Sequence, residues 1–399
     1  MFAPGSQAMT LLLGALVASA PLAMDIYLPS MPAMTRALDA TAGEVQLTLS
    51  VYMFGWGAAQ LLAGPLSDRY GRRPALIAGL VLFTVASIAC ALAPGVGALI
   101  VARFFQAVAV ATVAVVPRAV VRDLHAGEKA AHMLSTMMLV LGVMPVLAPV
   151  LGAELHLVFG WRASFAIVAA YGIALLALVL FALPETLAER DPGALAPVVM
   201  LRNWRRALAS RHYAGYALTI AAAMAGLFAF LAGSAFVFVE GMGRGERVYS
   251  LYFALVMLGT FAGTAIARRA TPRLGIVRMV RAGSLALFAS GVAMALLAWL
   301  GVAHPLAVVV PMFAFMAAYM CTVPQATAGA LTPFPEIAGS AASLMSFVQF
   351  GIAAATALVV GLTFDGTPRP MASAIALAGL AAFVATQMLV VRGRDSAQR

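Results

Sequence analysis

The stretch GPLSDRYGRRP (residues 64–74) joins two long apolar runs, residues 44–66 and 74–93. Gly71 suits a tight turn that needs positive φ, and Gly64 allows a neighbouring helix to approach closely. Asp68 accepts hydrogen bonds from arginines or lies near a helix N-terminus, where negative charge is favoured. A simple basic anchor on a membrane surface needs neither this carboxylate nor these glycines. The stretch therefore predicts a loop between two membrane helices that has a defined turn and defined hydrogen bonds.

The composition agrees with a lipid environment. Of the 399 residues, 63% are hydrophobic and 10% are charged, whereas soluble domains carry about 25% charged residues. The mean hydropathy is +0.98. Barrel strands alternate over segments of about ten residues, but this chain has unbroken apolar runs of about twenty, the length of a membrane-spanning helix. The fold class predicted is an all-α integral membrane protein.

Twelve spans are predicted, arranged as two pseudo-symmetric six-helix bundles. A polar connection over 185–212 divides the chain into an N-terminal bundle (1–184), a cytoplasmic linker and a C-terminal bundle (213–399). The predicted spans are 8–32, 44–66, 74–93, 99–119, 133–155, 162–184, 213–239, 248–267, 279–301, 305–330, 337–363 and 371–391. Duplicated halves of this kind occur in one large class of transporters.

The distribution of basic residues predicts the orientation. If the N-terminus is cytoplasmic, the inside segments hold 19 Lys and Arg residues and the outside segments hold 5. Cytoplasmic loops carry the excess of positive charge, so both termini are predicted to be cytoplasmic. The first apolar run has no basic residues before it and contains Asp25, which predicts a retained helix rather than a signal peptide.

Several functions are disfavoured by the sequence. The net charge of +10 resides in short loops between apolar runs, which indicates membrane orientation rather than nucleic-acid binding. Cys90 and Cys321 both fall within apolar runs and have no metal or disulfide spacing. The spans contain no cluster of His, Asp, Glu or Cys, so an enzyme is not predicted. The chain contains no phosphate-binding loop, so ATP-driven transport is not predicted either. We expect no metal and no cofactor beyond a proton gradient.

Two charged residues within the spans predict the functional site. Asp25 lies late in the first span, which runs outward, and Arg103 lies early in the fourth span, which runs inward. Both residues therefore fall in the outer half of the membrane. Ionisable residues at such depth usually face a cavity or a partner. Burial disfavours the charged form of a carboxylate, whereas a nearby guanidinium favours it. A balance between the two effects suits a residue that binds and releases protons. The structural alternatives are a first helix that ends at the outer interface near Asp25, and an Arg103 that reaches back to that interface.

The loop GPLSDRYGRRP resembles the signature of the major facilitator superfamily, G-x-L-x-D-R-x-G-R-[RK]-x, at every defined position. AMDIYLPSMPAM (residues 23–34) and the segment over 46–74 resemble the Bcr/CflA group of drug:proton antiporters, which includes exporters of bicyclomycin and of chloramphenicol-type antibiotics. Three further segments are similar to that group: WRASFAIVAAYG (161–172), LPETL (183–187) and EIAGSAASLMSFVQ (336–349).

The resemblance implies roles for individual residues. Asp25 matches the acid that couples proton and substrate, and Arg103 and Gln106 match the Arg and Gln of a fourth-helix motif. The loop would stabilise an outward-open state, with Asp68 latching to the second half near the start of span eleven. Its motif residues are Gly64, Asp68, Arg69, Gly71, Arg72 and Arg73. MPVLAPVLG (144–152) resembles the antiporter motif of span five, in which Pro145, Pro149 and Gly152 shape and kink the helix.

The sequence also departs from the family pattern. Ala107 replaces a glycine of the fourth-helix motif, so the helix approach there is expected to differ. Val17 stands where several drug exporters carry a second acid, which argues against transport of divalent cationic drugs. Substrate contacts are predicted among polar, aromatic and proline residues of the spans, for which ordinary packing is the alternative. These are Asp25, Tyr27, Tyr52, Gln106, Pro145, Tyr319, Gln325 and Gln349.

The leading functional hypothesis is a proton-coupled secondary transporter that exports small, mostly apolar drugs by alternating access. Its expected partners are the drug, the proton and the lipid bilayer, and it is expected to work as a monomer in the bacterial inner membrane. One alternative is a carrier of the same fold for an endogenous metabolite, although the scarcity of polar residues in the spans favours apolar cargo. A polytopic membrane enzyme is a remote alternative.

Overall fold

The computed structural model describes residues 6–391, and within them the secondary structure is entirely helical. The first part of the chain forms α1 to α7. Their bounds are α1 Gln7–Asp25, α2 Met31–Ala37, α3 Ala42–Tyr70, α4 Arg72–Ala91, α5 Val96–Leu124, α6 Gly127–Phe159 and α7 Arg162–Ala182. A 3₁₀ turn, Leu28–Ser30, separates α1 from α2.

The second part of the chain forms α8 to α14. Their bounds are α8 Pro197–Leu208, α9 Arg211–Ala235, α10 Glu246–Leu274, α11 Ile276–Trp299, α12 Leu306–Leu331, α13 Ala338–Leu362 and α14 Arg369–Ala385. The helices α9 and α14 each continue into a π-helical turn, Phe236–Gly241 and Thr386–Val391. A 3₁₀ turn, Pro335–Ile337, precedes α13.

Each of the twelve predicted spans corresponds to a long helical segment among the described residues. Eleven of these segments are long and apolar enough to cross a membrane. The exception is α3, a helix of 29 residues that carries the second predicted span. It buries Gln46, Thr48 and Ser50, and such polar side chains lower the hydropathy of a helix without shortening it. The chain is a multi-pass membrane protein.

The helices are grouped into two units. The first unit comprises residues 1–40 and 51–197, and the second comprises residues 41–50 and 198–399. The core of the first unit includes Leu13 and Val17 of α1, Leu80 of α4 and Val116 of α5. The core of the second unit includes Tyr216 of α9, Val280 of α11 and Met345 of α13. The division into bundles over 1–184 and 213–399 stays a prediction.

The first predicted span is interrupted. Residues 8–32 were predicted as one continuous helix, whereas α1 ends at Asp25 and the chain continues through the 3₁₀ turn into α2. Pro29 and Pro32 lie at the starts of the turn and of α2, where the missing N–H of proline costs nothing. Within a continuous helix each proline would remove a hydrogen bond to the preceding turn. The interruption therefore falls directly after Asp25.

The linker contains a helix that the sequence did not predict. Residues 197–208 form α8 inside the segment 185–212, which was predicted only as a polar linker. Asn203 of α8 donates a hydrogen bond to Ser340 (3.4 Å), and Arg206 pairs with Glu336 (3.3 Å). The helix buries Ala207 in the core of the second unit. Its 12 residues lie at the lower end of the window in which helical periodicity is detected.

Candidate functional site

Asp25 is buried at the C-terminal end of α1. Only 1% of its surface is exposed, and its Oδ1 has no hydrogen-bond partner among the described residues. The alternative that the helix ends at the outer interface is half correct, because α1 does end at Asp25. The carboxylate is nevertheless enclosed by protein. A buried acidic oxygen without a partner is costly in a membrane protein, which makes Asp25 a candidate functional residue.

Arg103 on α5 is fully buried beside the end of α1. Its Nη1 donates to the carbonyl oxygen of Ala23 (2.9 Å) and to Oε1 of Gln106 (2.5 Å). The last carbonyls of a helix lack partners within the helix and lie at the negative end of its dipole. The guanidinium therefore satisfies one of the free carbonyls of α1 and balances its dipole. Reaching to the outer interface, the alternative for Arg103, is wrong in this structure.

Three aromatic rings surround the Arg103 guanidinium. Its central carbon lies 4.0 Å from the ring centroid of Tyr52, 4.5 Å from that of Tyr27 and 5.8 Å from that of Phe165. The hydroxyl of Tyr52 donates to the carbonyl of Ala20 (3.3 Å), which orients that ring. A desolvated cation–π contact is worth about 2 kcal/mol. The cage therefore holds the positive charge in place without a carboxylate.

Asp25 and Arg103 lie in one site but do not form an ion pair. No nitrogen–oxygen distance within 4.0 Å joins them among residues 6–391, yet Arg103 is near enough to act on Asp25 electrostatically. Two nitrogens of Arg103, Nε and Nη2, also lack hydrogen-bond partners in the described part of the chain. The site thus holds a carboxylate with a free acceptor oxygen and a guanidinium cation with two free donor nitrogens.

A polar chain extends from Arg103 to α4. Nε2 of Gln106 donates to Oγ of Ser87 (2.8 Å), and Oγ of Ser87 donates to the carbonyl of Phe83 (2.6 Å). All three side chains are buried. Gln106 was predicted from its resemblance to the fourth-helix motif, but Ser87 was missed. Its only signal was a hydroxyl in an apolar run, which is common in membrane helices.

Gly152 of the fifth-span motif lies against the break that follows α1. A Cβ at Gly152 would overlap the backbone carbonyl oxygen of Ile26, so only glycine fits at this position. Pro145 and Pro149 lie within α6, which runs unbroken from Gly127 to Phe159. The motif residue Gly152 thus positions the chain next to Asp25.

Close approach of α3 and α5 occurs at Gly55, not at Gly64. A Cβ at Gly55 would lie 3.1 Å from Phe104 and 3.3 Å from Cβ of Ala107. A Cβ at Gly64 would meet no atom of the first unit within 4 Å, and the role of Gly64 in close packing stays a prediction. Because Gly55 supplies the space on α3, α5 can carry Ala107 in place of the family's glycine.

The loop motif forms a hydrogen-bonded cap on α4. Gly71 has φ 106°, and a Cβ there would lie 2.5 Å from a carboxylate oxygen of Glu185. This carboxylate accepts hydrogen bonds from the backbone N–H groups of Arg72 (3.0 Å) and Arg73 (3.2 Å). A negative charge at a helix N-terminus is stabilising. Glu185 belongs to the segment LPETL, but its role was not predicted.

Arg72 joins three elements of the first unit. Its Nε donates to Asp123 on α5 (2.8 Å), and its Nη1 donates to Ser67 (2.7 Å) and to the carboxylate of Asp68. The backbone carbonyl of Asp68 accepts from the N–H of Asp191 in the linker (3.0 Å). Asp123 was not predicted, since one carboxylate at a helix end gives no sign of its partner. The latch from Asp68 to the second half stays a prediction.

The remaining loop arginines have separate contacts. Arg73 donates through Nη2 to the carbonyl of Leu180 (2.7 Å). Arg69 is exposed and lies 5.5 Å from the ring centroid of Tyr70. Val17, at the position of a second acid in other exporters, is buried in the apolar core of the first unit.

The structure gathers only some of the predicted substrate contacts around Asp25. Tyr27, Tyr52 and Gln106 are fully buried beside Arg103. Pro145 is half-buried on α6. Three predicted contacts are half-buried in the second unit and stay predictions: Tyr319, Gln325 and Gln349. The hydroxyl of Tyr319 donates to the sulfur of Met224 (3.4 Å).

Comparison with known proteins gives related sequences over most of the chain. A chloramphenicol resistance protein from Pseudomonas aeruginosa is 33% identical and aligns over 80% of this chain and 76% of its own length. A bicyclomycin resistance protein homolog from Haemophilus influenzae is 28% identical over 90% of both chains. A crystal structure of a D-xylose–proton symporter superposes with a TM-score of 0.71 at 14% identity, covering 96% of this chain and 97% of the symporter. This last likeness concerns the fold alone.

The family model of the Major Facilitator Superfamily matches residues 13–358. That range contains Asp25, Arg103, the loop motif and the fifth-helix motif. This chain belongs to the Major Facilitator Superfamily.

Proposed function

We propose that this protein is a proton-coupled secondary transporter that exports small, mostly apolar drugs by alternating access. The observation that carries the proposal is the burial of Asp25, with a free carboxylate oxygen, beside the caged charge of Arg103. An ionised carboxylate buried within a membrane protein is energetically costly. Proton binding removes that cost, which is how such a residue couples to a proton gradient.

Arg103 serves as the fixed charge of this mechanism. Its guanidinium is held by the Ala23 carbonyl, by Gln106 and by the rings of Tyr27 and Tyr52. A positive charge that does not depend on Asp25 for its own stability remains in place when Asp25 takes up a proton. The two residues then differ in role, since one changes charge and the other supplies a constant field.

The coupling cycle follows from this division of roles. Drug binds while Asp25 is ionised, opening to the outside releases the drug, and Asp25 then takes up a proton that allows the carrier to reset. A ligand shifts a conformational equilibrium only if it binds one state better than the other. Proton and drug therefore drive transport by favouring different states.

The cargo is proposed from the chemistry of the spans and from the named relatives. The Arg103 guanidinium is surrounded by the aromatic rings of Tyr27, Tyr52 and Phe165. A site with one carboxylate and one fixed guanidinium charge matches neutral drugs better than divalent cationic drugs. The relatives named for chloramphenicol and bicyclomycin resistance support this class of compound.

Location and assembly belong to the same proposal. The excess of basic residues in alternate loops supports an orientation with both termini cytoplasmic, and Arg392, Arg394 and Arg399 of that set lie outside the described residues. We place the protein in a bacterial inner membrane, working as a monomer and using the proton gradient in place of a cofactor.

The test is drug susceptibility in a pump-deficient bacterial host. Wild type and Asp25→Asn are compared at matched membrane expression against chloramphenicol, florfenicol and bicyclomycin. Resistance that disappears in Asp25→Asn supports proton-coupled export. Resistance that survives the substitution would remove Asp25 from coupling, and a wild type that confers no resistance would argue for a metabolite carrier.

A further inference from the structure

A second polar site lies far along the first unit from Asp25. A cavity of about 670 Å³ opens between the first turns of α1 and the start of α6. Its lining includes Thr10 and Leu11 of α1, His125 at the end of α5, and Glu128, Lys129 and His132 of α6. Proton coupling and the loop motif use none of these residues. In the proposed orientation the cavity opens at the cytoplasmic ends of the helices.

The cavity offers hydrogen-bond donors more readily than acceptors. Nε2 of His125 is buried and has no partner among residues 6–391, and Lys129 and His132 are exposed in the lining. The hydroxyl of Thr10 already donates to the carbonyl of Ser6 (3.1 Å). Glu128 is the one acid of the lining. Donors in the lining therefore come from two imidazoles, the ammonium group of Lys129 and the amide of Gln7.

The lining also includes apolar side chains. Met133 of α6 is 4% exposed and Leu11 of α1 is 60% exposed. A cavity lined by one ammonium group, two imidazoles and apolar side chains fits an amphiphile that carries an anionic group. Basic pockets between membrane helices on the cytoplasmic side suit the headgroups of anionic lipids.

We propose that this cavity binds a phosphate group, supplied by the headgroup of an anionic phospholipid. His125, Lys129 and His132 contact the phosphate oxygens, and Leu11 and Met133 contact the first part of the acyl region. Glu128 weakens the site through like-charge repulsion. Inorganic phosphate shares the recognition chemistry but lacks the apolar portion, so the two sources are distinguishable.

The experiment uses the full-length protein purified in a mild detergent. Binding of phosphatidylglycerol is measured by native mass spectrometry, with phosphatidylcholine as the uncharged comparison, and inorganic phosphate is tested separately by thermal stability at constant ionic strength. The variants are Lys129→Gln, His125→Gln and Glu128→Gln. Arg202→Gln is the matched control, because it removes an exposed cation of α8 outside the cavity.

We expect Lys129→Gln to bind phosphatidylglycerol about fivefold more weakly, as the loss of one cation near a headgroup predicts. Glu128→Gln should bind it more tightly, a gain that a misfolded protein would not show. Stabilisation of the wild type by inorganic phosphate alone, lost in Lys129→Gln, would support the anion site and assign it to the free ion. Equal lipid binding by Lys129→Gln, His125→Gln and Arg202→Gln would overturn the proposal.

Discussion

Gly152 on α6 lies directly against the backbone carbonyl of Ile26, the residue that follows Asp25, and leaves no space for a Cβ atom. This approach fixes where the chain turns from α1 into the 3₁₀ turn at Leu28–Ser30. The position of the buried acid thus depends on a residue in another helix, more than a hundred positions away in the sequence.

Gly152→Ala should disturb the site without touching Asp25. The added methyl group forces apart the backbones of α1 and α6, and overpacking of this kind costs about 1–3 kcal/mol. We expect a lower melting temperature in detergent and reduced drug resistance. Gly142→Ala in the same helix is the control, since a Cβ there meets no described atom within 4 Å. Equal behaviour of the two variants would contradict the proposed packing role.

Arg103→Lys should lose most transport although the charge is retained. The guanidinium donates to Ala23 and Gln106 while its plane contacts Tyr52 and Tyr27, and an ammonium group cannot reproduce this combination. Loss of about 1.4 kcal/mol corresponds to a tenfold effect. Drug efflux from energised cells at matched expression measures the change. Efflux at the wild-type rate would show that charge alone suffices at position 103.

The ring of Tyr52 should matter more than its hydroxyl. Tyr52→Phe keeps the cation–π contact with Arg103 and loses only the long hydrogen bond to Ala20 (3.3 Å), so near-normal efflux is expected. Tyr52→Leu removes the ring and should reduce efflux strongly. The comparison of the two variants in one efflux assay separates the contributions. Equal loss in both would assign the role to the hydroxyl.

Asp123→Asn should destabilise the cytoplasmic loop motif. Asp123 and Arg72 have side chains 19% and 8% exposed and form a hydrogen-bonded ion pair. The substitution leaves Asp68 as the remaining carboxylate partner of Arg72, and the loss of one charge-assisted interaction costs about 1.5 kcal/mol. We expect a lower melting temperature of the purified protein. Glu189→Gln removes an exposed charge nearby and should leave the melting temperature unchanged.

The membrane helices were predictable because an apolar run of the length of a span can be identified from one segment of the sequence, without knowing which other segments it contacts. Arg162–Ala182 and Leu306–Leu331, for example, closely match the predicted 162–184 and 305–330. The resemblance to the superfamily also indicated Asp25 and Arg103. These features are local, and a single segment of sequence carries each of them.

The missed features depend on contacts between distant segments. Glu185 caps the helix that begins at Arg72, and Phe165 joins the cage around Arg103. An aromatic residue in an apolar run and a carboxylate after a span give no sign of these partners. The sequence also could not predict that Asp25 and Arg103 do not form an ion pair, because a similar depth in the membrane does not determine the distance between two side chains.

Proton flux coupled to the drug tests the role of Asp25 most directly. The purified protein is reconstituted into liposomes that contain a pH-sensitive dye, and a gradient of neutral chloramphenicol is imposed. In the wild type we expect the drug gradient to drive proton movement in the opposite direction, whereas Asp25→Asn should show none. Drug-driven proton movement that persists in Asp25→Asn would contradict the proposed mechanism.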